Sequence, residues 1–195
     1  MLTNTGRLPD TAHTAQPWRI HALVPDFRLE DVWALPTPGG PGDLDRLVRQ
    51  MAGGPGGFTG AARALFALRW KLGRWFGWDA PETRVGARVE SLRARLPADL
   101  LGSPGPDLAA VPLTSVFLTG TEWAAELANR TVHTVMHIGW VPTPDGGHRG
   151  QMAVLVKPNG AFGRAYMAAI RPFRHLIVDP ALVRLIGRGW QRSAA

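Results

Sequence analysis

The stretch TVHTVMHIGWV, residues 131–141, decides the fold class of this chain. Successive side chains of a β-strand point to opposite faces, so Met136 and Trp140 share one face while His133 and His137 share the other. The first of these faces is almost entirely apolar. The stretch therefore predicts a long, regular strand that packs at least one face against a core.

The segments around this strand predict an antiparallel sheet. Residues 142–147 (PTPDGG) are typical of a hairpin turn, and residues 151–157 (QMAVLVK) return as the partner strand. Residues 27–35 alternate in the same way, and residues 115–118 predict a shorter strand. Residues 122–128 follow a capping-box pattern and suit either one or two helical turns or a strand, and the sequence leaves this open.

Helical periodicity flanks the sheet-forming segments. Residues 43–51 predict a short helix, and residues 59–78 predict a basic amphipathic one. A long helix follows Gly160, with a kink at Pro172 and an interruption at Pro180. The chain is therefore predicted to be an α+β protein in which a curved antiparallel sheet wraps a long Pro-kinked C-terminal helix, with two shorter helices. Such a wrap readily encloses an apolar ligand cavity.

Composition limits the cellular and chemical classes. The chain has 195 residues and no cysteine, which excludes thiol chemistry and suits a reducing compartment. Residues 1–17 are polar and contain no apolar run, so no signal peptide is predicted and the protein is expected to be cytoplasmic. Residues 1–17 show no periodicity and predict a disordered tail, followed by one domain over residues 18–192. The net charge is +7, but all except two of the 22 basic residues are arginines and they are spread singly along the chain, so nucleic acid is not predicted as a partner.

Two kinds of association remain open at this level. The helix over residues 59–78 suits packing on a protein core better than binding an anionic membrane, since its basic face is narrow. The sequence does not decide between a monomer and a homodimer. The predicted partner is an apolar small molecule.

Three segments resemble a bacterial family of domains of unknown function. They are residues 129–140 (NRTVHTVMHIGW), 151–160 (QMAVLVKPNG) and 165–177 (AYMAAIRPFRHLI). Members of that family occur alone or fused behind epimerase-like short-chain dehydrogenase domains. The resemblance implies a helix-grip fold similar to the polyketide cyclase, START and Bet v 1 group. It carries no activity with it, because the family has no established one.

Four residues are candidate catalytic groups. Asp31 lies between apolar neighbours on a strand face, where a carboxylate must be paired, hydrogen-bonded or shifted in pKa. Three roles are open for it: a catalytic group, a partner in an ion pair with Arg19 or Arg174, or a residue that a strand bulge turns outward. His133 and His137 suit general bases if their face lines the interior, and otherwise face solvent or a neighbouring strand.

Tyr166, the only tyrosine, suits either a ligand contact or core packing. The two histidines of the predicted strand are about 13 Å apart along it, too far to share one metal ion, so neither a metal site nor a cofactor is predicted. The side chains predicted to contact a ligand are Trp33, Met136, Trp140, Phe162, Ile170 and Arg174.

The apolar wrap with few inward polar groups favours a hydrophobic small-molecule-binding protein. The predicted function is a cofactor-independent cyclase, dehydratase or isomerase acting on a polyketide-like carbonyl compound. The alternative is a non-catalytic carrier or sensor of a lipid or metabolite. The two differ in what happens to the ligand, which a carrier binds tightly and releases unaltered.

Overall fold

The computed structural model describes residues 6–53, 85, 89–108, 113–173 and 178–193, apart from the side chains of residues 166 and 170–173. The architecture is α+β, with an open antiparallel sheet of six strands in the order β1-β2-β6-β5-β4-β3. The strands are β1 Arg7–Leu8, β2 Arg28–Ala34, β3 Thr114–Leu118, β4 Glu122–Ala128, β5 Val132–Pro142 and β6 His148–Pro158. The helices are α1 Thr11–Thr14, α2 Ile20–Leu23, α3 Leu44–Gly53, α4 Gly160–Phe173 and α5 Asp179–Ser193, with a 3-10 turn at Leu92–Arg95.

The hairpin of β5 and β6 is the centre of the sheet, as the alternating pattern predicts. The two strands pair without interruption from Val132 opposite Pro158 to Pro142 opposite His148. The turn between them closes through a hydrogen bond from the Thr143 amide to the Gly147 carbonyl. Both faces of this hairpin are buried, so it positions side chains on two sides of the sheet.

Residues 122–128 form strand β4, which settles the alternative that the sequence leaves open. The Thr119 hydroxyl accepts a hydrogen bond from the Glu122 amide at 2.9 Å, as in a helix cap. The Thr119 amide also donates to the Glu122 carbonyl, which closes a β-turn between β3 and β4. The capping pattern therefore serves a hairpin here, because β5 supplies the hydrogen bonds that a helix would have to make internally.

One side of the sheet, the helix face, is the side on which Trp33, Met136, Ile138 and Met152 pack. It is covered by α3 and α5, whose buried side chains join the same apolar cluster. The Trp190 ring of α5 holds the Arg46 guanidinium of α3 at 3.8 Å, which ties the two helices together. A C-terminal helix on an antiparallel sheet is thus present. Residues 174–177, between α4 and α5, lie outside the described residues.

A bulge in β2 changes which residues share a face. The sequence pattern places Leu29, Asp31 and Trp33 together, but the register shifts between Leu29 and Asp31. Leu29 lies opposite Leu155, while Asp31 lies opposite Val154 and is carried onto the helix face. The extra residue of a bulge reverses the alternation, and a strict period of two cannot anticipate it.

Helix α4 meets the sheet through a different stripe from the one that the sequence predicts. Phe162, a predicted ligand contact, is 58 % exposed, whereas Gly163 and Met167 are buried. A Cβ at Gly163 would overlap the Thr131 carbonyl oxygen, so the glycine allows the helix backbone to approach the start of β5. This close approach fixes the rotation of the helix and turns Phe162 outward.

The other side, the histidine face, is the side of the sheet that carries His133, Val135 and His137. It is covered by residues 10–24, which include α1 and α2, and by the 3-10 turn. The expected disordered tail over residues 1–17 needs correction at its C-terminal part, since β1 pairs with β2 and His13 is buried. These short elements gain their order from the sheet rather than from any periodicity of their own.

Several predictions fall outside the described residues. They concern the amphipathic helix over residues 59–78, Arg174, and the side chains of Tyr166 and Ile170. In the part of the chain that is described, no helix is long and apolar enough to cross a membrane.

Candidate functional site

The four predicted catalytic residues do not form one site. His133 and His137 lie on the histidine face, whereas Asp31 lies on the helix face. The backbone of Tyr166 belongs to α4, and its side chain lies outside the described residues. The sheet separates the two histidines from Asp31, so no single substrate atom is within reach of both.

A chain of four side chains, the histidine chain, runs through the core of the histidine face. Glu122 Oε2 lies 3.2 Å from Nε2 of His137, and Nδ1 of His137 lies 3.1 Å from Nε2 of His13. Nδ1 of His13 in turn lies 3.2 Å from Nε2 of His21. Three imidazole rings and one carboxylate are therefore joined by consecutive hydrogen bonds.

Four separate elements hold the histidine chain in place. Glu122 and His137 come from the neighbouring strands β4 and β5, His13 from α1 and His21 from α2. The carboxylate of Glu122 also accepts hydrogen bonds from the backbone amides of Arg19 at 2.9 Å and Ile20 at 3.3 Å. Backbone amides at the start of α2 thus fix the carboxylate, and the carboxylate fixes the entry of α2 onto the sheet.

With all three rings neutral, two proton arrangements satisfy every contact in the histidine chain. When Glu122 is ionised it accepts from Nε2–H of His137, which leaves Nδ1 of His137 as an acceptor. His13 and His21 must then also carry their protons on Nε2, because each ring donates to the preceding one. In the second arrangement Glu122 is protonated and all three rings carry the proton on Nδ1.

The surroundings keep the inner rings uncharged. Burial lowers the pKa of His13 from 6.5 to about 3, and repulsion from His137 and His21 acts in the same direction. Burial also lowers the pKa of His137, while its hydrogen bond to Glu122 opposes that shift. A neutral imidazole can accept at one nitrogen and donate at the other, which is the property that a proton-conducting chain requires.

The histidine chain leads from the core towards solvent. Glu122, His137 and His13 are almost fully buried, and His21 is only partly buried. Rings of neighbouring histidines cross edge to face, with centroids 4.9 Å apart for His13 and His21 and 5.0 Å apart for His13 and His137. His21 is therefore the member through which the chain can exchange a proton with another molecule.

A second histidine–glutamate pair lies further along the same strands and has a structural role. His133 Nε2 is 2.8 Å from Glu126 Oε2, and the same carboxylate accepts from the Ser91 hydroxyl at 2.5 Å and the Leu92 amide at 3.1 Å. Glu126 thus caps the 3-10 turn and attaches it to the sheet. The Phe27 ring packs edge to face on His133, at 5.0 Å between centroids.

Asp31 is a buried member of an ion pair. Its side chain is inaccessible to solvent, and its Oδ1 lies 3.4 Å from Nε of Arg7 on β1. Arg19, which the sequence offers as a partner, instead pairs with Asp99 at 2.7 Å. Asp31 therefore links β1 to β2, and the β-bulge places it inward rather than outward.

The predicted ligand contacts are divided between the core and the surface. Trp33, Met136 and Trp140 pack in the apolar cluster of the helix face, where the Trp140 indole donates to the Gly40 carbonyl at 2.8 Å. Phe162 is exposed, as described above. No cluster of three or more His, Asp or Glu within the described ranges is arranged to hold a metal ion.

Sequence reasoning missed Glu122, His13 and His21. The sequence does contain one indication of Glu122. Glu122 and Glu126 are four residues apart on β4, the same spacing as His133 and His137 on β5, so two histidine–glutamate pairs can form between the strands. Across the hairpin each glutamate bonds to the residue diagonal to it, a contact that side chains of this length can reach. His13 and His21 carried no such signal.

Comparison with protein families places the chain in one of them. The model of a family described as a protein of unknown function, DUF2867, matches residues 23–181. The chain is a member of the DUF2867 family. No curated protein and no solved structure matches it.

The DUF2867 match covers most of the sheet and divides the histidine chain. Glu122 and His137 lie inside the matched range, and so do Glu126 and His133. His13 and His21 precede it. In this DUF2867 protein the outer half of the histidine chain is therefore supplied by the segment N-terminal to the matched range.

Proposed function

We propose that this DUF2867 protein is a cofactor-independent acid–base catalyst that acts on a hydrophobic carbonyl compound through its histidine chain. The observation that carries the proposal is the unbroken hydrogen-bonded series from Glu122 through His137 and His13 to the partly exposed His21. Burial and neighbouring groups tune the pKa values of catalytic acids and bases. The inner residues of the histidine chain are buried and are hydrogen-bonded to one another.

The two proton arrangements of the histidine chain differ by one proton and describe a reaction. His21 takes a proton from a carbon next to the substrate carbonyl on its Nδ1 and passes its Nε2 proton to His13. His13 passes its own Nε2 proton to His137, and His137 passes one to Glu122. The chain ends with a protonated carboxyl, and the substrate is left as an enolate.

Reversal of the same steps returns the proton, either to the original carbon or to another atom of the enolate. Return to another atom is an isomerisation, and loss of a β-hydroxyl from the enolate, with a proton from the chain, is a dehydration. Attack of the enolate carbon on a second carbonyl of the same molecule closes a ring, with the proton going to the new hydroxyl. One proton store therefore serves the cyclase, dehydratase and isomerase chemistries.

The hydrophobic substrate class and a helix-grip relationship belong to the same proposal. An antiparallel sheet that holds C-terminal helices on its apolar face supports the relationship to the polyketide cyclase, START and Bet v 1 group. The Trp18 ring beside His137 belongs to an apolar cluster that also includes Leu23, and such surroundings favour a ligand with little charge.

Exchange of carbon-bound hydrogen tests the proposal without knowledge of the natural substrate. The protein is incubated in D₂O with α-tetralone and, separately, with 2-decanone, and loss of the α-proton signal is followed by NMR. We expect the protein to accelerate the exchange, and His21→Gln to lower the protein-dependent rate by about 10²-fold or more. Exchange no faster than in buffer with both ketones would contradict the proposal.

The matched control is His148→Gln, which removes a histidine at the start of β6 that takes no part in the histidine chain. Its exchange rate is expected to equal that of the unmodified protein. Equal losses in His148→Gln and His21→Gln would mean that the rate reports on general stability rather than on the terminal base.

A non-catalytic carrier or sensor of a lipid or metabolite is the second candidate function. It is favoured by the Trp33 indole N–H, which is buried on the helix face and has no hydrogen-bond partner within the described residues. A buried donor of this kind suits an acceptor atom of a bound molecule. Native mass spectrometry of the protein from its producing cells, followed by denaturing extraction, tests it: a ligand recovered unaltered supports a carrier, and an empty protein argues against one.

A further inference from the structure

The Trp18 ring lies directly beside the histidine chain. It is 8 % exposed, and its centroid is 5.4 Å from that of the His137 ring. The ring packs onto Gly139 of β5, where a Cβ would overlap its six-membered part. The glycine thus provides a notch that brings the indole down onto the sheet and fixes its position next to His137.

The indole N–H groups of the described tryptophans fall into two classes. Three donate to protein oxygens: Trp123 to the Ser115 hydroxyl at 2.9 Å, Trp140 to the Gly40 carbonyl at 2.8 Å and Trp190 to the Pro38 carbonyl at 2.9 Å. The other two, those of Trp18 and Trp33, are buried and lack a hydrogen-bond partner among the residues that the structure describes.

An unpaired buried donor is costly. Leaving such a group without an acceptor destabilises a fold by about 1–3 kcal/mol, and most buried tryptophans find a partner, as three do here. Replacement of the indole by an apolar ring would remove that cost while keeping the packing. The unpaired N–H of Trp18 is thus unexplained by packing alone, and it occurs next to the only chain of buried histidines in the described structure.

We propose that the Trp18 indole N–H binds an oxygen atom of the ligand on which the histidine chain acts. This inference rests on the proposed function and names the chemistry of the ligand: a flat, apolar molecule with a carbonyl or enolate oxygen. The indole donates to that oxygen, and His21, the terminal base of the histidine chain, takes the proton from the adjacent carbon. Such a donor stabilises the negative charge that develops on the oxygen when the proton leaves the carbon.

NMR of the indole N–H signals tests this assignment. The ¹⁵N-labelled protein is titrated with α-tetralone and, as a matched probe without oxygen, with tetralin. We expect α-tetralone, but not tetralin, to shift the Trp18 indole proton downfield, as formation of a hydrogen bond does. The signals of Trp123, Trp140 and Trp190 are internal controls that should stay in place, because their hydrogen bonds are already made.

Trp18→Phe supplies the second measurement. It keeps an aromatic ring on the Gly139 notch and removes the donor, and we expect it to raise the Kd of α-tetralone by up to about tenfold, the usual contribution of one hydrogen bond. The Kd of tetralin should change by less than about twofold. The Trp18 signal is assigned from the backbone resonances, so the titration does not depend on the folding of the variant.

The outcomes separate this inference from the proposed function. A Trp18 signal that does not move with α-tetralone, or that moves equally with tetralin, overturns the inference whether or not hydrogen exchange is accelerated. A shift specific to the ketone supports it. If that shift occurs without any acceleration of exchange, the donor belongs to a binding protein and the catalytic proposal is the part that fails.

Discussion

The neutral state of His13 makes the stability of this protein sensitive to acid. The pKa of His13 is lowered from 6.5 to about 3 in the folded protein, mainly by burial. Because the folded pKa lies below the unfolded one, the contribution to stability is complete above pH 6.5 and is lost as the pH falls from there towards 3. Between those values the unfolded chain binds a proton that the folded chain does not.

The magnitude follows from linkage. Between pH 7 and pH 5 this one histidine lowers the free energy of unfolding by roughly 2 kcal/mol. His137, whose pKa is also lowered by burial, adds a loss in the same direction. The effect is therefore a large fraction of the stability of a typical domain.

Urea denaturation at the two pH values measures this loss. His13→Gln keeps a donor and an acceptor at the end of its side chain but cannot be protonated, so it should be less stable at pH 7 and should lose roughly 2 kcal/mol less than the unmodified protein on acidification. His148→Gln is the control for removal of a histidine elsewhere. Equal acid losses in the unmodified protein and in His13→Gln would refute the claim that His13 is buried in its neutral form.

Two further predictions concern packing and ion pairing. Gly163→Ala should destabilise the protein by about 1–3 kcal/mol, because the new methyl group would overlap a backbone carbonyl that cannot move. In the control Gly189→Ala, the new methyl group meets only the flexible end of a side chain, so this substitution should be neutral or slightly stabilising. Thermal denaturation compares the pair, and equal melting temperatures would contradict the close approach of α4 to the sheet. Arg7→Gln should cost about 1–3 kcal/mol, since it removes the cation beside buried Asp31, while Arg49→Gln breaks an exposed pair and should cost less than about 0.5 kcal/mol. Chemical denaturation at pH 7 compares the free energies of unfolding of the two variants. A loss of stability no larger for Arg7→Gln than for Arg49→Gln would show that Asp31 does not depend on the Arg7 cation.

The central hairpin could be predicted because its signals are local. Alternation over residues 131–141, a turn rich in proline and glycine, and a second alternating run specify both strands and their register. The short helix over residues 43–51 was predictable for the same reason, since its cap and its apolar period lie within one segment. The six-stranded α+β architecture follows from these elements once β2 pairs with β6.

Features that depend on distant partners could not be predicted in this way. His13 and His137 are 124 residues apart, and no local pattern indicates that α1 will lie on β5. The bulge that carries Asp31 to the helix face arises from pairing with β6, and the outward position of Phe162 arises from the contact of Gly163 with β5. In each case tertiary packing overrides a regular local period.

The most direct test of the central claim is the protonation state of the histidine rings. In protein labelled with ¹⁵N-histidine, NMR gives the chemical shifts of the ring nitrogens and their couplings to the protons on the ring carbons. Together these distinguish the two neutral tautomers from each other and from the imidazolium ion. At pH 7 we predict that His13 and His137 are neutral and carry their protons on Nε2, as the hydrogen bonds to Glu122 and to each other require. An imidazolium at either position would contradict the neutral state of the rings, and opposite tautomers in the two rings would break the hydrogen bond between them; either result contradicts the account.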